Sequence, residues 1–170
     1  MLKVIENIGQ LKFYDLMQVY EESNLAIGAG KYPLLSKDEQ LREAEQDFYQ
    51  YLLSVFFKQS YCKYAIWEEK SQYCSAVRLE PYQDGILLCS LETAPALRRK
   101  GYAKQLLLSL QGYLCGKKIY SHISKGNAAS IAVHKSCGFQ IIKEYAVHVD
   151  GSVFRDSITM LYQSEKTESC

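Results

Sequence analysis

The sequence predicts a single α/β (α+β) domain, with a mixed, mostly antiparallel sheet of about seven strands flanked by about four helices. Its length of 170 residues corresponds to one ordinary domain. The elements that its hydrophobic patterns indicate follow in the order β-α-α-β-β-β-α-β-α-β-β. Turns join some strands and helices join others, which is typical of a sheet with both antiparallel and parallel pairs.

The first third of the chain predicts one strand and two helices. Leu2–Glu6 reads as a short opening strand. Apolar residues then recur at helical spacing over Leu11–Asn24, and the glycines and proline of Gly28–Pro33 predict a loop. Ser36-Lys37-Asp38-Glu39 is a capping box, which predicts the start of a second helix that runs to about Lys58.

The middle of the chain predicts an antiparallel meander. Tyr61–Glu69, Gln72–Leu79 and Ile86–Thr93 are rich in β-branched and aromatic residues. The turn residues of Pro81–Gly85 separate the second strand from the third. Ile86–Thr93 is apolar on both faces, which favours a central position in the sheet.

The last third alternates helices with strands and ends in a hairpin at Asp150-Gly151, a strong two-residue turn signal. The predicted elements are a helix from about Gly101 to Tyr113, a strand at Lys118–Ser124, a helix at Asn127–Cys137, and strands at Phe139–Val149 and Ser152–Gln163. We expect the domain to span residues 1–163 and a polar tail to occupy residues 164–170.

Composition and charge exclude several classes of protein. With 48% hydrophobic and 23% charged residues, the chain resembles neither a disordered protein nor a membrane channel. Twenty Lys and Arg against nineteen Asp and Glu leave a net charge of +1, without the basic excess of a nucleic-acid-binding protein. The six cysteines form no CxxC pair and no spacing suited to zinc, so no metal site is predicted.

The sequence also indicates the compartment. The N-terminus reaches the acidic Glu6 too early for a signal peptide. No apolar run approaches the roughly 20 residues that a membrane-spanning helix needs. We therefore expect a cytoplasmic protein that does not bind membranes.

A basic segment, Arg98-Arg99-Lys100-Gly101-Tyr102-Ala103, lies between a central strand and the start of a helix. Such a start presents unpaired backbone N–H groups and the positive end of the helix dipole. Gly101 lets an oxyanion approach the backbone, and the small Ala103 keeps the first turn open. These features predict a phosphate or diphosphate site. The alternative is a solvated basic helix start, although cations are unfavourable at that end of a helix without an anion.

A second segment, Asn127 to Phe139, places three polar residues on one side of a short helix. At about 100° per residue, Asn127, Ser130 and His134 share a face, and Gly138 follows as a helix-ending residue. The alternative is that Asn127 only caps the helix and His134 lies on the surface.

The two segments together resemble the GCN5-related N-acetyltransferase (GNAT) superfamily. Arg98–Ala103 resembles its Gln/Arg-x-x-Gly-x-Gly/Ala acyl-CoA loop, and Asn127–Phe139 resembles its later element that begins with Asn and ends in Gly-Phe. The order of strands and Pro95 ahead of the loop also fit, so the resemblance extends from about Leu2 to Gln163. It implies the acyl-CoA N-acyltransferase fold and an acetyl-CoA-dependent transferase.

The resemblance also implies where acetyl-CoA, the co-substrate, binds. Arg98 occupies the family's Gln/Arg position, and the backbone around Arg99–Ala103, including Lys100 and Tyr102, would hold the diphosphate. Leu91–Thr93, including Thr93 itself, would pair with the pantetheine amides as another strand does. Asn127 and Ser130 would contact the pantetheine arm.

Two residues are candidates for proton transfer. Glu92 is a lone carboxylate in an apolar strand beside the expected thioester, where it would bind or deprotonate the amine. The alternatives are an edge carboxylate that faces solvent or pairs with a basic residue, or a base that acts through a water chain. His134 stands where the family commonly has a tyrosine, and we expect it to donate a proton to the leaving sulfur.

The sequence leaves the acceptor open. We expect a primary amine of a small molecule, attacked directly in a ternary complex. The alternatives are a protein lysine or N-terminus, or a non-catalytic acyl-CoA-binding module. A monomer or a homodimer is compatible with the sequence, as is an acyl donor longer than acetyl. Six residues are candidates for an acidic and aromatic pocket for a cationic amine: Tyr20, Glu21, Glu22, Tyr32, Trp67 and Tyr82.

Overall fold

The computed structural model describes residues 1–163, so the predicted tail at 164–170 lies outside the described residues. The strands are β1 (Leu2–Ile5), β2 (Lys63–Glu69), β3 (Gln72–Tyr82), β4 (Gly85–Thr93), β5 (Lys118–Ser124), β6 (Gln140–Lys143), β7 (Ala146–Val147), β8 (Val153–Phe154) and β9 (Ser157–Tyr162). The α-helices are α1 (Phe13–Val19), α2 (Glu21–Lys31), α3 (Lys37–Ser54), α4 (Tyr102–Tyr113) and α5 (Ala128–Ser136).

Seven strands form one mixed sheet in the order β1-β2-β3-β4-β5-β9-β6, while β7 and β8 form a separate two-stranded hairpin. All neighbours in the large sheet are antiparallel except β4 and β5. The predicted sheet of about seven strands and the central antiparallel meander are therefore confirmed.

The parallel pair is short. Its register runs from Gly85 opposite Lys118 to Leu88 opposite Ser121, and the remaining residues of the two strands have no partner in that ladder. Since α4 connects β4 to β5, the pair is the crossover unit that a parallel connection requires. The two strands therefore separate toward their C-terminal ends, where the sheet opens.

Helices cover both faces of the sheet and bury two main cores. On one face, Leu106, Leu107 and Leu110 of α4 pack with sheet residues that include Val77. On the other face, α1 and α3 bury a second cluster that includes Leu52. We refer to these as the α4–α5 face and the α1–α3 face.

The predicted first helix is wrong in its extent, because the structure divides this stretch between two helices, which brings the number of α-helices among residues 1–163 to five. The chain bends at Tyr20, which both ends α1 and precedes α2. The loop predicted from Gly28 is also wrong, because α2 continues to Lys31. A Cβ at Gly28 would lie 2.3 Å from the carbonyl oxygen of Gln40 in α3, so this glycine permits a close helix contact instead of ending the helix.

Other local predictions are confirmed in full or in part. Ser36 and Glu39 form both hydrogen bonds of the capping box at the start of α3. A hairpin does connect β7 to β8 around Asp150-Gly151, but the predicted two-residue turn is wrong, because Val147 is opposite Val153 and residues 148–152 lie between the strands. The two long strands predicted after Phe139 are each divided, since β6 and β9 pair in the large sheet while β7 and β8 pair with each other. No helix among residues 1–163 is long and apolar enough to cross a membrane.

Candidate functional site

A cavity of about 830 Å³ opens where β4 and β5 separate. It is lined by residues of β4, β5, α2, α5 and the loop that leads into α4. All of the predicted site residues except Lys100 line it: Leu91, Glu92, Thr93, Arg98, Arg99, Gly101, Tyr102, Ala103, Asn127, Ser130 and His134. Lys100 is exposed within the same loop.

The loop before α4 has the backbone geometry of an anion site. Gly101 is the N-cap of α4 with φ of +81°, and Arg99 also has a positive φ of +62°. The first N–H groups of an α-helix have no intrahelical acceptor, so they point freely from this end. Arg99, Lys100 and Lys104 form no ion pair with any residue between 1 and 163. Three uncompensated cations thus lie where the helix dipole already favours an anion.

Arg98 differs from the other cations of the loop. Its guanidinium lies 2.6 Å from the carboxylate of Glu22 in α2, and its Nε donates to the carbonyl oxygen of Thr93 at 3.4 Å. Arg98 therefore links the loop to α2 and to the end of β4.

A β-bulge interrupts β4 just before its end. Ala76 of β3 is opposite Glu92, but Arg78 is opposite Cys89, so β4 has one residue more than β3 across this stretch. Ser90 within the bulge has a φ of +55°, which is uncommon for a residue with a side chain.

Consecutive side chains of a strand point to opposite faces, and the extra residue in the bulge determines which face Leu91 and Glu92 each take. Leu91 packs against the core of the α4–α5 face. Glu92 is opposite Ala76, which belongs to the core of the α1–α3 face, and directly opposed residues share a face. Glu92 accordingly receives a hydrogen bond from Ser23 Oγ in α2 at 2.5 Å.

The carboxyl group of Glu92 is half-buried, and its surroundings shift its pKa in opposite directions. Burial raises its pKa above the ordinary value, while the hydrogen bond from Ser23 and the charge of Arg98 act to lower it. The alternative of a solvent-facing carboxylate does not hold, because Glu92 faces the cavity and bonds a neighbouring helix.

Asn127, Ser130 and His134 share one side of α5 toward the cavity, as the helical spacing predicts. Asn127 does cap the helix, since its Oδ1 accepts from the N–H of Ser130 at 3.0 Å. His134 is 1% exposed, so the alternative of a surface histidine is wrong.

The hydrogen bonds of His134 fix its tautomer. Nδ1 lies 2.8 Å from the carbonyl oxygen of Ser130, and a carbonyl can only accept, so Nδ1 carries the proton. Nε2 is buried and has no hydrogen-bond partner among residues 1–163. Burial also lowers the pKa of the ring. At neutral pH His134 is therefore uncharged, and its Nε2 is an acceptor.

Several lining residues were missed by the sequence prediction. Ser23, Ser90 and His122 line the cavity from α2, β4 and β5. No local motif marks them, because tertiary contacts alone bring them to the site. A positive φ is usually marked by glycine in a sequence. Because position 90 is a serine, its positive φ could not be predicted.

The predicted aromatic pocket for the acceptor does not form. Of its six residues only Glu22 lines the cavity. Tyr20 is 3% exposed in the α1–α3 core, Tyr32 bonds Asp47, and Tyr82 bonds the carbonyl oxygen of Val147. These three tyrosines therefore do not line the cavity. Between residues 1 and 163, no group of three or more His, Cys, Asp or Glu side chains is arranged to hold a metal ion.

A family model described as the acetyltransferase (GNAT) family matches residues 16–139, from α1 to the end of the second motif. The chain belongs to this family. It is therefore an acetyl-CoA-dependent N-acetyltransferase, and the sequence-based expectation of that activity is confirmed at this level.

Solved structures support the same fold. PaiA N-acetyltransferase from Thermoplasma acidophilum, crystallised with coenzyme A, has a TM-score of 0.64 at 14% identity, and the match covers 96% of this chain and 99% of that one. The ribosomal-protein-S18-alanine N-acetyltransferase from Escherichia coli has a TM-score of 0.60 at 18% identity, with coverage of 100% and 99%. Aminoglycoside 6'-acetyltransferase type Ii has a TM-score of 0.60 at 12% identity, covering 96% of each chain. No curated protein matches the sequence.

Proposed function

We propose that the chain transfers the acetyl group of acetyl-CoA to a primary amine of a small molecule, by direct attack in a ternary complex. One observation carries the proposal: a single cavity at the split between β4 and β5 has a helix N-terminus with free cations on one side and Glu92 on the other. A thioester held in the split is then reachable by an amine from the α1–α3 face.

In this proposal the coenzyme binds along the α4–α5 face. The backbone from Arg99 to Ala103, with the charge of Lys100, holds the diphosphate at the start of α4. The unpaired edge of Leu91–Thr93 bonds the pantetheine amides. Asn127 and Ser130 contact the same arm from α5.

Glu92 takes the proton that the amine must lose. A lysine-like amine has a pKa of about 10.4 and arrives as an ammonium ion, which cannot attack. The carboxylate of Glu92 attracts this ion and accepts one proton, directly or through water. The neutral amine then attacks the thioester carbon. In the bulge, Ser90 and Leu91 lie between the paired residues Cys89 and Glu92, and a backbone N–H group of this segment donates a hydrogen bond to the oxyanion.

His134 moves the second proton. The tetrahedral intermediate carries a protonated nitrogen, and the neutral Nε2 of His134 accepts that proton. As the C–S bond breaks, the imidazolium returns the proton to the thiolate, so the products are an amide, free coenzyme A and one released proton. A ring whose pKa is lowered by burial holds the proton only briefly, which suits a relay.

The size of the cavity favours a compact acceptor. A volume of about 830 Å³ lies within the range of small-molecule sites, roughly 300–1,000 Å³, and it must hold the thioester arm as well. The carboxylate of Glu92 accepts a hydrogen bond from Ser23 of α2, so this helix lies directly beside it at the cavity wall. Both features support a small amine over a folded protein segment.

The test is thiol release from acetyl-CoA with a panel of amines: spermidine, kanamycin, a peptide with N-terminal alanine and a peptide with internal lysine. We expect release with a small amine and a rise in melting temperature with coenzyme A. Release only with a peptide would show a protein acetyltransferase. A thermal shift without release across the panel would support the binding-module alternative.

The Glu92→Gln variant tests the proton acceptor. It keeps the shape and the hydrogen bond to Ser23 but cannot accept a proton, so we expect kcat/KM to fall by about 100-fold at pH 7. The loss should shrink as pH rises toward about 10, because the free amine then forms in solution. A Glu22→Gln control tests whether any nearby negative charge suffices. A Glu92→Gln rate equal to wild type at pH 7 would exclude Glu92 as the base.

A further inference from the structure

The bulge in β4 determines how the two halves of the proposed site face each other. It turns Leu91 toward the α4–α5 face and Glu92 toward the α1–α3 face within two consecutive residues. The φ of +55° at Ser90 is a conformation that a residue with a Cβ keeps only when its surroundings impose it. The residues that hold Ser90 therefore control the alignment of Glu92 with the thioester.

Two side chains, the buried Tyr20 and the partly exposed Arg78, hold Ser90 from different elements. The hydroxyl of Tyr20 donates to the carbonyl oxygen of Ser90 at 2.7 Å, and Nη2 of Arg78 donates to its Oγ at 3.3 Å. Burial raises the pKa of Tyr20, so its hydroxyl keeps its proton and remains a donor. Neither contact involves a ligand.

Both side chains are themselves fixed by the α1–α3 core. Tyr20 is 3% exposed and makes edge contacts with the rings of Phe48 and Tyr64. Arg78 donates through Nη1 to the hydroxyl of Tyr51 at 3.0 Å and lies 3.6 Å from Glu80. The bulge is thus anchored to a rigid layer of α1, β3 and α3.

Tyr20 also lies at the bend between α1 and α2, three residues before Ser23. The bend therefore reaches β4 twice, through Tyr20 on Ser90 and through Ser23 on Glu92. Any shift of Ser90 relative to α2 would move the carboxylate away from the split in the sheet.

We propose that Tyr20 and Arg78 are positioning residues that act through Ser90, holding the β4 bulge so that Glu92 is aligned with the thioester carbon. This inference rests on the proposed function, because it assigns the alignment that the proposed base requires. Neither residue lines the cavity. Their loss should lower kcat while the diphosphate site at α4 is retained.

The test compares Tyr20→Phe with a matched control, Tyr73→Phe. Tyr73 is also a buried tyrosine of the α1–α3 core, and its hydroxyl accepts from the N–H of Lys12 far from the bulge. For Tyr20→Phe we expect kcat for thiol release, with the best amine of the panel, to fall about tenfold, as loss of one buried hydrogen bond allows. The Kd for coenzyme A, measured by calorimetry, should change less than about twofold, and Tyr73→Phe should leave both values unchanged.

Hydrogen exchange gives a readout that does not depend on activity. Tyr20→Phe should raise the exchange rate of a peptide containing residues 89–92, and Tyr73→Phe should not. Arg78→Lys keeps the charge but cannot bond Tyr51 and Ser90 as a fork, so it should move kcat and exchange in the same direction.

The outcomes separate this proposal from the proposed function. Equal kcat and equal exchange in Tyr20→Phe and Tyr73→Phe would overturn the positioning role. A parallel loss of kcat and coenzyme affinity in Tyr20→Phe would also overturn it, since it would indicate general damage to the fold. A wild-type chain that neither binds coenzyme A nor releases thiol would instead overturn the proposed function.

Discussion

His134 carries its ring proton on the nitrogen that faces its own helix, and this single detail changes the role predicted for it. The sequence places a titratable ring beside the second motif, which predicts a proton donor. The hydrogen bond from Nδ1 to the carbonyl oxygen of Ser130 leaves the unprotonated Nε2 as the ring nitrogen without a partner among residues 1–163. The ring can therefore give a proton to sulfur only after it has taken one.

We expect His134→Phe to lower kcat by about 100-fold, the range of general acid–base catalysis, with little effect on the Kd for coenzyme A. Phenylalanine keeps a planar ring against Phe139, which His134 contacts edge-on at 5.0 Å between ring centroids. Steady-state kinetics and calorimetry measure the two effects. Ser136→Ala, an exposed change in the same helix, is the control. If the turnover of His134→Phe equals that of the wild type between about pH 6 and pH 9, His134 is excluded from the mechanism.

At the scale of elements, the sequence predicted what is encoded locally. The capping box of α3 and the glycine at the start of α4 each act within a few residues, and both were predicted correctly. The hairpin around Asp150-Gly151 was also predicted, although its loop is longer than the two residues expected. The loop before α4 and the polar face of α5 are also continuous segments, so their residues could be selected from the sequence and line one cavity, while their roles stay predictions.

What the sequence did not predict depends on contacts between distant segments. Gly28 reads as a helix breaker, but the approach of α3 gives it a packing role within α2. Ser23 reaches Glu92 across 69 positions of the chain, and no periodicity reveals such a pair. Of the tyrosines expected at the acceptor site, Tyr20 is buried in the α1–α3 core, and Tyr82 is buried in a separate cluster with Tyr120.

Two glycines of α2 provide a paired prediction. Gly28→Ala places a Cβ against the backbone of Gln40, so we expect a destabilisation of about 1–3 kcal/mol. Gly30→Ala meets nothing within 4 Å, and alanine favours the helix by roughly 0.5–1 kcal/mol. Chemical denaturation of both variants measures the difference. Similar changes in the free energy of unfolding would contradict the close contact between α2 and α3.

Gly101 is required at the start of α4 for its backbone conformation. With φ of +81°, a residue with a Cβ is strained by roughly 1–2 kcal/mol, although the added atom itself meets nothing within 4 Å. We expect Gly101→Val to weaken coenzyme A binding, because the loop relaxes and the side chain blocks the approach of the diphosphate. Calorimetry measures the Kd. An unchanged Kd would show that the diphosphate does not bind at this turn.

At the scale of the whole molecule, the net charge is near zero, but two histidines, His122 and His134, have pKa values that burial lowers. Burial lowers the pKa of His122 to about 4, and it also lowers the pKa of His134. An unfolded chain would protonate both rings at about 6.5. Below that pH the unfolded state binds more protons than the folded state. The free energy of unfolding therefore decreases as the pH is lowered.

We expect the free energy of unfolding to decrease from about pH 6.5 toward about pH 4, and a His122→Phe variant to lose less over the same interval. Urea unfolding at several pH values measures both curves. An NMR titration of the His122 ring should show its midpoint near 4. A midpoint near 6.5, or equal slopes for variant and wild type, would contradict the burial effect.

The short ladder between β4 and β5 has a consequence for the coenzyme itself. The sheet consists of β1 to β4 on one side and β5, β9 and β6 on the other, and only the pairs from Gly85–Lys118 to Leu88–Ser121 join them as strands. A pantetheine arm bound in this gap would form hydrogen bonds in place of those that β4 and β5 do not make with each other beyond Leu88 and Ser121. Acetyl-CoA would then act as a temporary strand as well as an acetyl donor. In each turnover the two parts of the sheet would be bridged when the coenzyme binds and separated again when it leaves.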